Sequence, residues 1–496
     1  MKICLIVPPS LFLLDERVFM TLGILKVAAV LEQSGSAVDM LDLSGILNFE
    51  DVIRDYCLQN KTTIFGITAT TPQLPASTKV LRTIRESAPS AKVILGGPHV
   101  TLVNAARKRE QRLEINGRAI TAFNQLASDY DVLVAGDGEE AIFRAIKEDA
   151  KRLIDADDPK SVLFLTNQQL TEQPFPARHL VDVQSYHYTI DGVPALSMIA
   201  QLGCPFECGF CGGRNSSFLR RVRTRTSESI VAEMVHLYRT YGTRGFMMYD
   251  DELNVNKGII QLMELIRKTQ DDLGVEFRLR GFIKAELFNE TQARAMHAAG
   301  FRWILVGFES GSPRILENIN KKASREDNTR CLQIAHKAGL KVKALMSIGH
   351  PGESPETIKE TQDWLLGAQP DDFDLTIITT YPGTPYYDNA VPHPDKPGIW
   401  VYTYEKGDRL YSIEVDYRTT ADYYKGDPEG GYQSFVYTDY ISRENLVAMR
   451  DQVEILVRDR LKIPFNPSAP AQRYEHSMGQ LPAHIWKTTR ATDPAL

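Results

Sequence analysis

The sequence predicts an α/β chain: a doubly wound parallel sheet, then a partial (β/α)6 barrel, then a small α+β cap. Three observations predict it. The first 150 residues alternate short apolar runs with amphipathic stretches. Residues 196–390 repeat that alternation six times, and the last 110 residues lose it and gather tyrosines. A length of 496 residues suits about three domains. Hydrophobic residues make up 43% and charged residues 24%, which excludes a wholly disordered or fibrous chain. Lys and Arg number 57 against 63 Asp and Glu, net −6, so no overall basic field argues for nucleic acid. The expected divisions are 1–150, a connector at 151–195, the barrel at 196–390 and the cap at 391–496.

In the first part, Lys2–Val7 is a nearly continuous apolar run with the length of a buried parallel strand. Leu22–Gln33 follows with helical periodicity. Further strands are expected at 37–43, 63–68, 92–95 and 131–135, and a helix over 77–87 that Pro89 closes. In doubly wound sheets ligands bind at the carboxyl ends of strands. Here those ends carry Thr70-Thr71-Pro72-Gln73, Gly96-Gly97-Pro98-His99 and Gly136-Asp137-Gly138-Glu139. Pro174 and Pro176 break periodicity in the connector.

Barrel strands are expected at 196–201, 245–249, 276–280, 302–308, 341–348 and 374–380, with helices such as Ser227–Tyr241 between them. Ser354 and Pro355 are an N-cap and a first helical residue. Working residues of such barrels sit at the strands' carboxyl ends. In the cap, 12 of the chain's 20 tyrosines lie between Tyr381 and Tyr440. Residues 410–417 and 432–439 alternate like a hairpin. Ser442 caps a closing helix expected to bury Leu446, Met449, Val453 and Leu456. The final 30 residues, rich in Pro, Ala and polar types, are expected to pack loosely.

Six cysteines are too few for a disulfide framework. Cys4, Cys57 and Cys331 are scattered, but Cys204, Cys208 and Cys211 form C-x3-C-x2-C. Three thiolates on one loop can bind one metal centre. A structural zinc wants four ligands, so a zinc reading needs a distant histidine. A four-iron cluster held by three cysteines keeps one iron open. The N-terminus lacks a basic leader and a small-residue cleavage site, and no window nears the ~18 uncharged apolar residues of a membrane span. A soluble, reducing, cytoplasmic protein is expected.

The loop follows the first barrel strand, and Phe210 precedes its last cysteine. Over residues 195–390 the sequence resembles the radical S-adenosylmethionine enzymes. The resemblance implies that Cys204, Cys208 and Cys211 hold a 4Fe–4S cluster whose open iron takes the amino and carboxylate groups of S-adenosylmethionine. One electron then cleaves the sulfonium to methionine and a 5′-deoxyadenosyl radical. It further implies an S-adenosylmethionine site built from Phe210, Asp250, Asp251, Glu252, Arg280, Glu309, Ser310 and Ser347. In it the acids of the second strand end meet the amine, Arg280 the carboxylate, and Glu309 the ribose hydroxyls or the amine. Gly349-His350-Pro351-Gly352-Glu353 resembles the family's adenine-side turn.

With a doubly wound domain in front, the chain looks like the cobalamin-binding, class B methylase-like members of that family. The implied cobalamin contacts of the Rossmann-like domain are Thr70, Thr71, Gln73, Gly96, Gly97, His99, Gly136, Gly138 and Glu139. One departure stands out. Many cobalamin proteins carry D-x-H-x-x-G after the first strand, whereas residues 8–18 here contain no histidine. Cobalamin is therefore expected base-off without a histidine ligand, with the loop 11–17 facing the lower side of cobalt. The implied reaction is methylation of an unactivated carbon of a small molecule. Cyclisation, ring contraction, oxygen incorporation or transfer of another group from S-adenosylmethionine are the alternatives within this architecture. A non-catalytic cobalamin binder would leave the cysteines unexplained. An electron donor such as flavodoxin or ferredoxin is implied, and Tyr423, Tyr424, Tyr432 and Tyr437 are expected against the substrate.

Overall fold

The computed structural model describes residues 2–13, 15–426 and 431–464. Strand β1 (Lys2–Val7) buries all but its first residue, as a run apolar on both faces requires. It lies between β2 (Ala37–Asp42) and β3 (Ile64–Thr68). Beyond β3 follow β4 (Lys92–Gly96), β5 (Val132–Gly136) and β6 (Leu153–Ala156), all parallel, in the order β2-β1-β3-β4-β5-β6. The order reverses between β1 and β3, and the crevice above such a switch point is where these sheets take ligands. Strand β6 comes from the stretch expected as connector. Its four residues are too few to display a period, and pairing with β5 decides their state. Helix Phe49–Gln59 is a further element that the patterning does not announce.

The second unit starts with a short hairpin, β7 (Thr189–Ile190) and β8 (Val193–Met198). A second hairpin follows, β9 (Gln201–Leu202) with β10 (Arg223–Thr224). Then come β11 (Gly245–Met248), β12 (Arg278–Ile283), β13 (Phe301–Glu309), β14 (Lys341–Ile348) and β15 (Asp372–Ile377). The sheet order is β15-β14-β13-β12-β11-β8-β7, with β8 and β11–β15 parallel. This is the expected partial barrel of six parallel strands. Alternate residues such as Phe246, Ile304 and Val342 pack into the main core, while Met247 and Leu305 belong to a separate small cluster. Strand β12 ends three residues later than expected. Gly281 does not stop it, because Phe282 and Ile283 continue to pair with Leu305 and Val306.

The cap is a four-stranded antiparallel sheet, β16 (Val391–Pro392), β17 (Ile399–Thr403), β18 (Arg409–Ile413) and β19 (Val436–Thr438). β18 and β19 form the expected hairpin. Ser442 does cap helix Arg443–Leu461, accepting the Asn445 N–H. The buried face differs from expectation: Leu446 and Val453 are inside, Leu456 is exposed, and Arg450, Glu454 and Arg458 are buried. The helix lies over the outer edge of β15, whose backbone groups have no further strand to pair with. Arg450 Nε donates to Leu375 O at 2.9 Å and an Arg458 guanidinium N–H to Phe373 O at 2.7 Å. The Tyr432 hydroxyl accepts the Ile377 N–H at 3.0 Å. Guanidinium groups with several donors thus replace apolar side chains, and Glu454 offsets their charge, 2.5 Å from Arg458.

Arg458→Met would leave a buried carboxylate and an edge carbonyl without their donor. It is expected to lower stability by about 3–5 kcal/mol, read as a shift in the urea midpoint. An unshifted midpoint would mean that the edge is satisfied by other groups.

Candidate active site

Strands β9 and β10 are joined by the connection that carries the three cysteines. At its start Gly203 has φ +85° and lies against Arg221 O, 2.3 Å from where a Cβ would stand, so no other residue fits. Cys204 N donates to Leu219 O at 2.9 Å and Gly209 N to Ile319 O at 2.7 Å. Arg220 donates to Pro205 O at 3.0 Å, and Asn320 Nδ2 to Glu207 O at 2.8 Å. The loop is thus fixed through its backbone. Burial, then nearby carboxylates and thiols, push the Cys204 thiol up to about 11; burial, then its neighbours, push Cys211 up to about 12. A thiolate that its surroundings disfavour becomes stable once a cationic centre lies beside it. Among the described residues no three His, Cys, Asp or Glu side chains close on a single ion. Thiolates at the corners of a four-iron cluster surround a larger body.

The barrel mouth faces this loop. The pairing of β13 with β14 shifts register between Gly307 and Glu309, and Glu309 takes φ +64°. A non-glycine residue held there costs about 1–3 kcal/mol, and such residues cluster at functional sites. Glu309 Oε1 receives Lys321 Nζ at 3.1 Å and Oε2 receives Ser347 Oγ at 2.8 Å. Gly307 leaves the room: a Cβ there would stand 2.6 Å from Glu309 Oε1. Ser347 Oγ lies 2.8 Å from His350 Nε2, and His350 Nδ1 lies 3.4 Å from the Tyr386 hydroxyl. Burial holds His350 down at about 4, so the ring is neutral. The network then assigns the protons: Tyr386 O–H to Nδ1, Nε2–H to Ser347 Oγ, and Ser347 O–H to Glu309. Phe210 packs its ring against His350 at 5.4 Å.

Beside them burial pushes the Glu252 carboxyl up to about 7 against the pull of Lys321 and Lys284. Asp251 accepts the Gly203 N–H and is exposed. Lys284, the first residue past β12, donates to Lys321 O at 3.0 Å, pairs with Glu286 at 3.1 Å and lies 4.4 Å over the Phe206 ring. Carboxylates and ammonium groups side by side form a donor set that fits an amino acid zwitterion. The sequence reading missed Lys284 and Lys321. The first was hidden by the late end of β12, and the second lies in a turn with no pattern.

Three expected contacts do not reach the mouth. Asp250 is buried, and its Oδ1 accepts Ala200 N at 2.8 Å and Gln201 N at 2.5 Å, tying the ends of two strands. Ser310 Oγ is buried against Thr361 Oγ1 at 3.0 Å and accepts the Ser312 N–H. Arg280 sits three residues before the end of β12, 2.9 Å from the Tyr188 hydroxyl.

The first sheet holds a cavity of about 280 Å³ against the helices that start at Leu22 and Gly138. Gly23, Gly66, Gly96, Gly97, Gly136 and Gly138 line it with Leu5, Ile94 and Val134. A Cβ on Gly66 would stand 2.7 Å from Leu5 Cδ2. Such an apolar, glycine-lined cradle fits the flat base and tail of a corrin nucleotide. Glu139 also lines it, 3.4 Å from Lys26 Nζ. Ile199, Leu202 and Phe218, which flank the strands of the cysteine hairpin, form one wall. Thr70, Thr71, Gln73 and His99 lie outside it. Gln73 accepts from Thr70 and donates to Pro8 O at 3.0 Å, Thr71 Oγ1 meets His99 Nδ1 at 3.0 Å, and His99 faces a different cleft beside Arg118 and Tyr417.

Of the four tyrosines, Tyr432 serves the edge of β15. Tyr437 stacks on Tyr411 at 4.7 Å as a cross-strand pair of the cap sheet. Tyr423 is buried with no partner for its hydroxyl. Tyr424 packs edge-on against Phe12, from the loop after β1, at 5.0 Å. Burial raises the phenols of Tyr249 and Tyr381. Phe12 belongs to the loop 11–17 expected near cobalt, and the patterning does not single out Tyr249.

Two parallel sheets that share a three-thiol hairpin between their carboxyl edges define a radical enzyme with two large cofactors. Residues 198–365 match the radical SAM superfamily and residues 16–127 the B12 binding domain. The chain belongs to the cobalamin-dependent radical S-adenosylmethionine enzymes, and its cofactors are a 4Fe–4S cluster, S-adenosylmethionine and cobalamin. An uncharacterized methyltransferase of Pyrococcus horikoshii is 28% identical over 398 residues, covering 79% of this chain and 83% of that one. An anaerobic magnesium-protoporphyrin IX monomethyl ester cyclase of Cereibacter sphaeroides is 24% identical, covering 68% of this chain and 56% of its own. The fold is shared with the radical S-adenosylmethionine methyltransferase TsrM from Kitasatospora setae, solved with cobalamin and a 4Fe–4S cluster. The TM-score is 0.65 at 18% identity, over 91% of this chain and 90% of that one.

Glu309→Gln keeps the shape of the mouth and removes a charge. It is expected to weaken S-adenosylmethionine binding at least about tenfold, measured by equilibrium dialysis, with the cluster's visible absorbance unchanged. Unchanged affinity would remove Glu309 from the site.

Proposed function

We propose that this enzyme methylates an unactivated carbon of a small-molecule biosynthetic intermediate. One observation carries the reading: the hairpin that presents the cysteines to the barrel mouth also walls the cobalamin cavity, through Ile199, Leu202 and Phe218. The division 1–150, 196–390 and 391–496 then separates corrin binding, radical generation and substrate cover. When bound, the cofactors supply a 5′-deoxyadenosyl radical for hydrogen removal and a cobalt-bound methyl group for transfer. The chain's own residues bind, orient and exclude water. Glu309, Asp251 and Glu252 accept hydrogen bonds from the amine and ribose hydroxyls of S-adenosylmethionine, and Lys284 and Lys321 face its carboxylate. Phe12, Tyr249, Tyr381 and Tyr424 close the space where the two units meet. Burial raises the phenols of Tyr249, Tyr381, Tyr423 and Tyr424, so each stays a neutral donor. The unpartnered hydroxyl of Tyr423 has a donor to offer a substrate.

On the lower side of the corrin the same reading places the loop 11–17. Its histidine neighbour, His187, has Nε2 2.8 Å from Asp15 Oδ2 and Nδ1 3.2 Å from Ser185 O. With both ring nitrogens engaged, His187 is not free to ligate cobalt, which supports cobalamin without a histidine ligand. The electron donor is a flavodoxin- or ferredoxin-type protein and the setting is the cytoplasm. Among the described residues no helix is long and apolar enough to cross a membrane.

Two measurements test the reading. Turnover is expected to release 5′-deoxyadenosine together with S-adenosylhomocysteine, and Cys208→Ala to abolish both along with the cluster's absorbance. Deoxyadenosine without the homocysteine product would replace methylation by another radical outcome, such as the ring closure named for the Cereibacter relative. The Co(II) form is expected to show no hyperfine coupling to a histidine nitrogen, and such coupling would overturn the expectation of a cobalt without a histidine ligand.

A further inference from the structure

The cavity of the first sheet is polar at one end and hydrocarbon at the other. Its hydrogen-bonding side chains are Thr21, Lys26, Thr68, Thr101 and Glu139. They gather toward the carboxyl edge of the sheet. Thr68 is the last residue of β3, Thr21 is the N-cap of helix Leu22–Gln33, and Glu139 is in the first turn of helix Gly138–Ala145. Three of them already have partners. Thr101 Oγ1 donates to Gly97 O and accepts the Gly136 N–H, each at 3.0 Å, and Lys26 pairs with Glu139 at 3.4 Å. Toward the middle of the strands the wall changes. Leu5, Ile94 and Val134 stand there on β1, β4 and β5, and Ile24, Val27 and Ile142 line the same space from the two helices. The main chain beneath is taken up by strand pairing, Leu5 opposite Gly66 and Gly66 opposite Ile94. Gly66 leaves open the gap that a side chain would fill, since a Cβ there would stand 2.7 Å from Leu5 Cδ2. The floor of the cavity therefore offers a ring no side-chain donor or acceptor.

We propose that this floor selects the lower base of the cobamide: it takes a benzimidazole or a phenol-derived ring and discriminates against a purine. The inference rests on the reading that puts the nucleotide tail of the corrin in this cavity. A tail entering at the carboxyl edge leaves its phosphate and ribose among the threonines and Lys26, and carries its base to the floor. A benzimidazole lifted from cobalt has one ring nitrogen without a partner, and a phenol-derived ring has none. Adenine has three bare ring nitrogens and an amine. Polar groups buried without partners cost affinity, whereas the methyl groups of a dimethylbenzimidazole gain from apolar contact. Ile94, Val134 and Ile142 are the side chains that set this choice.

The test uses the full chain, loaded with its cluster and prepared without cobamide, and reads affinity by equilibrium dialysis of the corrin absorbance. The probes are cobalamin, p-cresolylcobamide, adenylcobamide and cobinamide, which lacks the nucleotide tail. Cobalamin and p-cresolylcobamide are expected to bind at least about tenfold more tightly than adenylcobamide. Cobinamide is expected to bind at least about tenfold more weakly than cobalamin. Ile142→Gln places an amide on the wall, and an amide can pair with both the amine and a ring nitrogen of adenine. It is expected to narrow the gap between cobalamin and adenylcobamide at least about threefold while cobinamide binds as before, which shows that the variant is folded. Adenylcobamide that binds the parent as tightly as cobalamin, with cobinamide weaker than both, would overturn the selection while leaving the tail in its cavity. Cobinamide as tight as cobalamin would instead strike the placement of the tail. A gap that Ile142→Gln leaves unchanged would remove Ile142 from the wall that the base meets.

Discussion

The cysteine hairpin is held against the first sheet by a buried ion pair, Arg223 to Asp137 at 2.6 Å. Arg223 stands on the second strand of the cysteine hairpin, over the rings of Phe164 and Phe218 at 4.2 and 5.1 Å. Asp137 stands just past the carboxyl end of β5, and its Oδ2 also accepts the Leu165 N–H at 2.9 Å. A pair so deeply buried adds little net stability over apolar residues of the same shape, because desolvation offsets the attraction. What it adds is selectivity of position. A guanidinium among rings finds its acceptor only when the hairpin lies against the end of β5. The next strand repeats the device: Asp157, after β6, accepts Ser216 Oγ at 3.0 Å and Phe218 N at 2.6 Å. Two adjacent strand ends of the first sheet thus hold the hairpin that carries the cluster ligands.

The other side of the hairpin is anchored in the barrel. Arg225, two residues past Arg223, pairs with buried Glu233, which also pairs with Arg178 at 2.8 Å. Both arginines donate to barrel carbonyls, Arg225 to Ile199 O at 3.0 Å and Arg178 to Ser197 O at 2.8 Å. One short strand therefore fastens the cysteine loop to both parallel sheets. That matters for a reaction whose intermediates move between two cofactors. Cofactors held by these two units would have their separation set by the base of one hairpin rather than by a linker, and errors of about 1 Å in such positioning can cost about 100-fold in rate.

Parts of this were legible in the sequence, for reasons that differ by residue. The cysteine spacing was legible because cluster ligation is a local constraint on one loop. The order of apolar runs was legible because buried parallel strands need no partner to be recognised. Glu309 was legible as a strand end, although the bulge and left-handed backbone that turn it inward were not. Arg280 was misplaced because strand ends are decided by pairing with neighbours, which carries β12 on to Ile283. Asp250 and Ser310 look like site residues by type and position. Backbone N–H groups and a distant threonine claim them, and only tertiary contact reveals that. The buried arginines of the last helix are the same lesson at the cap. Their positions repeat like an apolar stripe, but they face an unpaired strand edge, where donors are worth more than methylenes.

The charge distribution around the loop completes the logic. The acidic mouth suits an ammonium group and hydroxyls, but the same carboxylates oppose adding an electron to a centre already held by thiolates. Burial of Glu252, whose carboxyl is pushed up to about 7, lessens that opposition, and Lys284 and Lys321 counter what remains. A chain with a uniformly acidic surface around the cysteines would bind the sulfonium and resist its reduction.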